Sequence, residues 1–325
     1  MNAARPARDL TLPMATDIAP ADTSDTTVVD PRPEDQIGLR TEPRRYDVAY
    51  ATVPAPGGER ELRLDLVRPP TAERLPLVVF LPGGAFLFAN RVNAYARRAF
   101  VAESGFVVAS AEYRTTGDNA TYVDAVQDVR NAVGHLVAHA DDYGIDARAV
   151  AVWGESAGGY LAAMTAVTTA VRRFATRGPA VRIDAVVDCF GCSDLSTIGA
   201  DFDEQYQAYY RENVTHFSAY LGAPGRTLPE IPAAVRAADP VTYVNATTPP
   251  FLLLHGTGDV LISPSQTQRL HQALLAAGVD STRYLLRGAN HGDVAIGDPE
   301  GALPWSSTTT MGIVTDFLHR HLDRP

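Results

Sequence analysis

Two textures alternate along this chain. Short, continuously apolar runs, such as Leu77-Val78-Val79-Phe80-Leu81 and Phe251-Leu252-Leu253-Leu254, recur between segments whose apolar residues fall at helical spacing. A run of four to six apolar residues without polar alternation predicts a strand covered on both faces. Phe106–Ala111, Ala149–Trp153, Ile183–Phe190 and Thr282–Leu286 read the same way. Helices are predicted at Val92–Glu103, closed by Gly105, and at Tyr122–His139, where Val123, Val126, Val129, Val133, Leu136 and Val137 form one stripe. Three more are predicted at Ala157–Thr169, at Gln266–Ala277 before Gly278, and at Thr308–His321. Buried strands in turn with helices predict an α/β fold: a mostly parallel central sheet with helices on both faces. Upstream, Tyr46–Val53 and Glu61–Val67 alternate apolar with polar around Pro56-Gly57-Gly58, which predicts an antiparallel hairpin with one buried face.

Two stretches depart from this rhythm. Residues 1–45 carry prolines at 6, 13, 20, 31, 33 and 43 and no aromatic residue, so a flexible arm preceding a domain at 46–325 is expected. Between Phe190 and Phe251 lies a long connection holding Phe202, Tyr206, Tyr209, Tyr210, Phe217 and Tyr220. A loop of that length inside a compact domain is functional or has structure of its own. It reads either as a helical cap insertion at about 194–240 over the sheet edge, partly formed by Asp203–Asn213, or as an enlarged crossover whose aromatics fill the main core.

Composition narrows the function classes. The formal charge is −10, and all 28 basic residues are arginine. Without lysine there is no Schiff-base chemistry and no lysine-dependent phosphate loop. The arginines are scattered, so no basic stripe exists for nucleic acid or anionic lipid. No apolar run of membrane-spanning length occurs, and the first 30 residues lack the apolar stretch of an export signal. Two cysteines are too few for a disulfide-stapled domain. The expectation is a cytoplasmic protein without a membrane or nucleic-acid partner, in which the Asn-x-Thr triplets at Asn119, Asn213 and Asn245 carry no glycan.

The chemistry centres on Gly154-Glu155-Ser156-Ala157-Gly158, which joins a predicted buried strand directly to a predicted helix. A serine on so sharp a turn presents its hydroxyl, and small neighbours let strand and helix approach. The hydroxyl becomes a nucleophile only when a base takes its proton. On a sheet of this kind the partners follow in the order serine, acid, histidine, each past the carboxyl end of a strand. Phe251–His255 runs into Gly256-Thr257-Gly258-Asp259, and Thr282–Leu286 into Gly288-Ala289-Asn290-His291-Gly292, so Asp259 and His291 are the candidates. Asp293 competes as the acid but sits in the same tight turn as His291. His135 and His139, four apart on a helix, have no third ligand and read as structural rather than metal-binding. His255 reads as a packed or backbone-bonded residue, and His319 and His321 favour the end of the last helix. Cys189-Phe190-Gly191-Cys192 starts within a strand and lacks a second cysteine pair, so it reads as packing rather than a redox or zinc motif.

An acyl-transfer site also needs donors for an oxyanion. The backbone of Gly83, Gly84 and Ala85 after the strand ending at Leu81, together with Ala157 after the serine, is placed to supply them. Candidate pocket residues are Phe86, Phe88, Glu155, Tyr206, Tyr209, Tyr210 and Phe217. The chain resembles the α/β-hydrolases of the hormone-sensitive-lipase-like esterase group, close to its bacterial feruloyl/acetylxylan-type carboxylesterase branch. The likeness covers roughly residues 60–322 and rests on Pro82-Gly83-Gly84-Ala85, Glu112-Tyr113-Arg114, Gly154-Glu155-Ser156-Ala157-Gly158-Gly159, Asp239-Pro240, Pro249-Pro250-Phe251, His255-Gly256-Thr257-Gly258-Asp259 and His291-Gly292. It implies an α/β-hydrolase fold, a Ser156–Asp259–His291 triad, and an oxyanion hole from Gly83–Ala85 and Ala157. The implied activity is cleavage of small carboxylic esters through an acyl-enzyme, with no metal or organic cofactor. Amide or formamide hydrolysis by the same triad, and a catalytically silent binding protein on the same fold, are the alternatives. The chain departs from the group's His-Gly-Gly-Gly pattern in having Pro82 for the histidine and Ala85 for the last glycine.

Overall fold

The computed structural model describes residues 15, 17–32, 35–37, 47–178, 181–213, 215–293 and 303–323. Nine strands among them form one sheet: β1 (Thr27–Val29), β2 (Asp47–Ala55), β3 (Gly58–Val67), β4 (Leu75–Leu81), β5 (Val107–Ala111), β6 (Ile145–Glu155), β7 (Ala185–Cys189), β8 (Phe251–Gly256) and β9 (Ser281–Leu286). Their spatial order is β1-β9-β8-β7-β6-β4-β5-β3-β2. Only the hairpin β2–β3 and the pair β3–β5 are antiparallel, as the Pro56-Gly57 turn and the alternating texture predict. Tyr46, the expected first residue of that hairpin, lies outside the described residues.

Strands continuously apolar in sequence are buried on both sides. Leu77, Val79 and Leu81 of β4 join one core cluster, while Val78 and Phe80 join the other. The helices α1 (Tyr95–Glu103) and α9 (Thr308–Leu322) cover the second cluster. On the opposite face lie α2 (Tyr122–Ala138), followed by the single turn α3 (Ala140–Tyr143), then α4 (Ala157–Val167) and α8 (Ser265–Ala276). Every residue of α4 is buried, which explains its Ala- and Gly-rich sequence without a polar face. Among the described residues no helix is long and apolar enough to cross a membrane.

The connection from 190 to 250 forms α5 (Glu204–Glu212), α6 (His216–Tyr220), α7 (Pro232–Ala237) and short 3₁₀ turns. Its aromatics continue the first core cluster: Phe86 stacks on Tyr220 at 4.3 Å between centroids, and Tyr210 on Phe217 at 5.4 Å. The insertion and the core filling posed above as alternatives are therefore one structure.

The N-terminal segment differs from the expected flexible arm. β1 pairs in parallel with β9, Thr27 opposite Tyr284 and Val29 opposite Leu286. Ala15 is buried, and Ile18 bridges Phe202. Composition misleads here because the segment is held by backbone pairing at an open sheet edge, which needs no aromatic residue. The remainder of 1–45 (1–14, 16, 33–34 and 38–45) lies outside the described residues.

Helix α4 meets the sheet so closely that backbone touches backbone. A Cβ on Gly154 would overlap the carbonyl of Gly158, and a Cβ on Gly158 the carbonyl of Leu81. Gly158→Ala must push α4 off β4. The expected cost is about 1–3 kcal/mol or more, read as a lowered urea midpoint, with loss of the site built on this junction.

Candidate active site

Ser156 occupies the single residue between β6 and α4, with φ 55° and ψ −121°. A left-handed non-glycine residue is strained by about 1–3 kcal/mol and persists only where its surroundings hold it. The strain is held by hydrogen bonds at both ends of the residue: Ser156 N–H donates to the Cys189 carbonyl at 2.9 Å, and its own carbonyl accepts from Tyr160 N–H at 3.0 Å. The result is a hydroxyl facing the space beyond the carboxyl ends of β4 and β6.

Two further side chains converge there. Asp259 follows β8 and is fully buried. Its Oδ1 accepts the backbone N–H groups of Leu261 and Ile262, each at 2.9 Å, which leaves Oδ2 for Nδ1 of His291 at 2.8 Å. Nε2 of His291 lies 2.8 Å from Oγ of Ser156. With the hydrogen assigned to Nδ1, facing the carboxylate, the lone pair of Nε2 faces the hydroxyl. Burial works to raise the Asp259 carboxyl, but the adjacent imidazoles of His291 and His255 outweigh it and hold the group well below the ordinary carboxylate range. Asp293 is committed elsewhere: its carboxylate takes Arg97 at 2.7 Å and the Trp305 N–H at 3.0 Å. Of the two candidate carboxylates, Asp259 is the one within hydrogen-bond distance of His291 Nδ1.

The Pro82–Phe88 loop passes beside the serine, with Gly83 pressed against the Glu155 carbonyl and the Ser156 Cβ. Ala85 and Phe86 are consecutive left-handed residues, φ 51° and 61°. The loop has braces where the related pattern carries a histidine. Tyr113 donates its hydroxyl to the Pro82 carbonyl at 2.5 Å, Thr116 gives its N–H and hydroxyl to Phe86 O at 3.0 Å each, and Thr115 gives its hydroxyl to Leu87 O at 3.0 Å. Arg114 fixes the segment that carries Tyr113, Thr115 and Thr116 by a two-pronged bond to buried Asp128 at 2.8 Å on both oxygens. No backbone hydrogen bond among the described residues uses the N–H of Gly83, Gly84 or Ala85. Ala157, as the first residue of α4, has an N–H without an intrahelical acceptor.

A cavity of about 610 Å³ opens over Ser156 and His291. Of the expected pocket residues, Phe86, Phe88, Glu155, Tyr210 and Phe217 line it. Tyr206 and Tyr209 do not, a correction to the sequence reading. Tyr206 is buried behind the wall and donates its hydroxyl to Leu261 O at 2.7 Å, and Tyr209 points outward with 40% exposure. Tyr206 and Tyr210, four apart, share a helix face and their rings meet at 5.1 Å between centroids, but Tyr206 sits one turn earlier, behind the wall, while Tyr209 turns outward; aromatic composition alone does not show this. Sequence reasoning missed Ile198, Leu261 and Ile262 on the apolar wall, and Arg97 on the polar side. Arg97 links Glu155 at 2.8 Å to Asp293 at 2.7 Å. Burial pushes the Glu155 carboxyl upward against the pull of that guanidinium. No local motif marks these residues; they come together through strand-end loops distant in sequence.

Cys189 and Cys192 are both free and buried, and burial raises both thiols. Their motif supports the site differently: between them Phe190 adopts φ 44° and sets its ring against His291, 4.8 Å between centroids. His135 and His139 stack on each other at 4.3 Å.

A mostly parallel sheet clasped by helices, with a strained serine at a strand-to-helix turn and a hydrogen-bonded histidine and aspartate past later strands, defines an α/β-hydrolase fold. The chain belongs to the BD-FAE family, whose profile matches residues 64–274. Among curated proteins it is similar to Esterase LipQ of Mycobacterium tuberculosis (28% identical, 76% of this chain and 58% of that protein). It is also similar to Esterase LipC of the same organism (29%, 75% and 59%). Isoprenylcysteine alpha-carbonyl methylesterase ICME of Arabidopsis thaliana matches at 26% (75% and 56%). The chain thus spans under three fifths of the length of these relatives. Among solved structures, a truncated carbohydrate esterase from gut microbiota superposes with TM-score 0.71 at 23% identity, over 91% of this chain and 100% of that one. Esterase 2 of Thermogutta terrifontis phosphonylated by cyclosarin superposes with TM-score 0.66 at 21%, over 88% and 98%.

Behind the serine turn, Asp188 of β7 is fully buried and, among the described residues, accepts one hydrogen bond, from the Gly191 N–H at 2.9 Å. Burial pushes its carboxyl up to about 7. An unfolded aspartate titrates near 3.9, so the folded state retains a proton that the unfolded chain releases, and stability falls as pH rises from about 4 to about 7. Asp188→Asn keeps the acceptor and removes that titration. Its unfolding midpoint is expected to fall less steeply than that of the unsubstituted protein across this window, as checked by thermal melts at half-unit pH steps.

Proposed function

We propose that this protein is a serine carboxylesterase acting on small esters. The observation that carries the reading is the unbroken chain Ser156–His291–Asp259, 2.8 Å at each link, at the floor of a largely apolar cavity. His291 takes the Ser156 proton through Nε2 as Oγ bonds to the substrate carbonyl carbon. Asp259, ionised through the neutral range, holds Nδ1–H and stabilises the imidazolium that forms. Negative charge on the former carbonyl oxygen falls to the free N–H groups of the Gly83–Ala85 loop and of Ala157. Collapse of this intermediate expels the alcohol, which receives the proton from Nε2. Water, deprotonated by the same nitrogen, then releases the acid and restores Ser156. That LipQ and LipC are esterases and ICME a methylesterase supports ester chemistry, and the phosphonylated neighbour fits the same reading.

Ser156→Ala is expected to abolish p-nitrophenyl ester turnover and labelling by a fluorophosphonate, while the circular dichroism spectrum stays that of the unsubstituted protein. Substantial remaining turnover in the purified variant would place the nucleophile elsewhere.

The cavity wall supports a second expectation. Tyr210→Ala and Phe217→Ala enlarge the cavity and move the preferred p-nitrophenyl ester toward longer chains, each additional buried methylene being worth about 0.8 kcal/mol, or roughly fourfold in kcat/KM. Both residues are also packed, so each variant loses stability, about 3–5 kcal/mol for a buried aromatic. Tyr206→Ala, behind the wall, is expected to lose stability with an unchanged chain-length profile. An acetate-to-palmitate series beside a thermal melt separates the two effects.

A further inference from the structure

His255 is fully buried, four residues before Asp259, and plays no part in the proton chain described above. Its Nε2 lies 3.0 Å from the Ile262 carbonyl and 3.2 Å from Oδ2 of Asp259. Both neighbours are acceptors, so Nε2 carries the hydrogen and Nδ1 is left as an acceptor. Nδ1 faces the hydroxyl of Thr267 at 3.0 Å. That hydroxyl has the Pro264 carbonyl within reach at 3.2 Å and accepts Nε–H of Arg283 at 3.2 Å. Arg283 is itself buried and gives its remaining donors to Pro264 O at 2.8 Å, to the Thr26 hydroxyl at 2.8 Å and to the Asp22 carbonyl at 3.3 Å. A continuous polar relay therefore runs from the N-terminal segment through Arg283, Thr267 and His255 to the carboxylate that holds His291. The segment also touches the acid loop directly, through Ala15 N–H on the Val260 carbonyl at 3.0 Å.

We propose that His255 is a positioning residue for Asp259, and that residues 22–26 hold it in place through Arg283. This rests on the reading of Asp259 as the acid of a serine esterase. Oδ2 is shared by two imidazoles, His291 from the cavity side and His255 from within the fold. A carboxylate held only by the Leu261 and Ile262 N–H groups on Oδ1 can swing about its Cβ–Cγ bond, whereas an N–H beside Oδ2 fixes the plane in which His291 must lie. The donor has to be neutral, because a second buried imidazolium would withdraw the charge that stabilises the first. Burial keeps His255 below the ordinary histidine value, in keeping with that role. The Arg283–Thr267 pair orients the hydroxyl toward Nδ1 and so selects the tautomer with hydrogen on Nε2.

The test uses the full chain with p-nitrophenyl acetate. His255→Leu removes the N–H and retains apolar volume; His255→Gln returns an N–H at the end of a side chain of similar reach. For His255→Leu we expect kcat lower by roughly tenfold or more with KM within about twofold, since a misplaced catalytic group costs turnover rather than binding. His255→Gln should recover most of that loss. The acid limb of the kcat/KM profile should also move to higher pH in His255→Leu, because Oδ2 without its second donor binds an imidazolium more strongly. The other charged groups of the site, Asp293, Arg97 and Glu155, are unchanged in these variants, as is Ser156, so none of them supplies the shift. Arg283→Leu should lower kcat in the same sense, and combined with His255→Leu should cost clearly less than the product of the two single effects. The proposal is overturned if folded His255→Leu keeps kcat within twofold with an unmoved profile, if Gln restores nothing, or if the Arg283 and His255 losses multiply in full. Should His255→Leu not fold, the Gln variant, Arg283→Leu and their combination carry the same comparison. An unsubstituted protein that neither turns over esters nor labels at Ser156 would instead refute the esterase reading on which the proposal stands.

Discussion

The contact on which this molecule depends is backbone against backbone, where α4 descends onto β4 and β6. Gly154 and Gly158 let main-chain atoms of Leu81 and α4 meet without a side chain between them. That approach bends the chain at Ser156 into a conformation it would not adopt alone, and the Cys189 carbonyl on the next strand holds it there. The Pro82–Phe88 loop leans on the same junction, because Gly83 packs on the serine turn. Serine turn and loop are thus two consequences of one packing event, and their relative placement is as precise as the sheet is rigid.

Electrostatics at the site follows from where water is excluded. Asp259 has no solvent contact, so its charge survives only because two backbone N–H groups and two imidazoles surround it. Asp188, equally buried but given one N–H among the described residues, has its carboxyl pushed up to about 7 instead. Two buried aspartates, one on β7 and one just past β8, are therefore shifted in opposite directions, and the count of donors around each is the difference. Arg97 balances Glu155 and Asp293 on the polar side of the cavity in the same manner, so that wall carries one net negative charge if both carboxyls are ionised.

Much of this was legible before any coordinates. Continuous apolar runs marked the buried strands because burial on both faces removes alternation, and the strand ends then located Ser156, Asp259 and His291. What escaped were features set by non-local geometry. Tyr206 and Tyr209 could not be told from Tyr210, since all three are aromatic on one helix and only the helix's placement along and around its axis over the cavity separates them. Ile198, Leu261, Ile262 and Arg97 carry no motif. His255 reads in sequence as a packed or backbone-bonded residue, and its Nε2 does meet the Ile262 carbonyl; what sequence does not show is the further link through Thr267 of α8 to Arg283 of β9 and the N-terminal segment. Poverty in aromatics, the basis for expecting a flexible arm at 1–45, is a sound guide to core formation and a poor one to a strand held by main-chain pairing and by polar bonds such as Arg283 to the Thr26 hydroxyl.

That edge strand also bears on the order in which the molecule can be made. Thr27 is among the first described residues and Tyr284 among the last, yet they are neighbours in the sheet. A chain emerging from the ribosome can build β2 to β8 with its N-terminal segment unattached, because the template for β1 does not yet exist. Pairing of β1 closes a loop that spans β2 to β8, at an entropic cost that grows only slowly with its length, so it joins late without being greatly penalised. Arg283 and His291 are made after β8 as well. A molecule built only as far as β8 therefore has the serine turn in place but neither His291 nor the Arg283 clasp behind Asp259, and the three side chains can meet only once β9 and the loop beyond it have been synthesised.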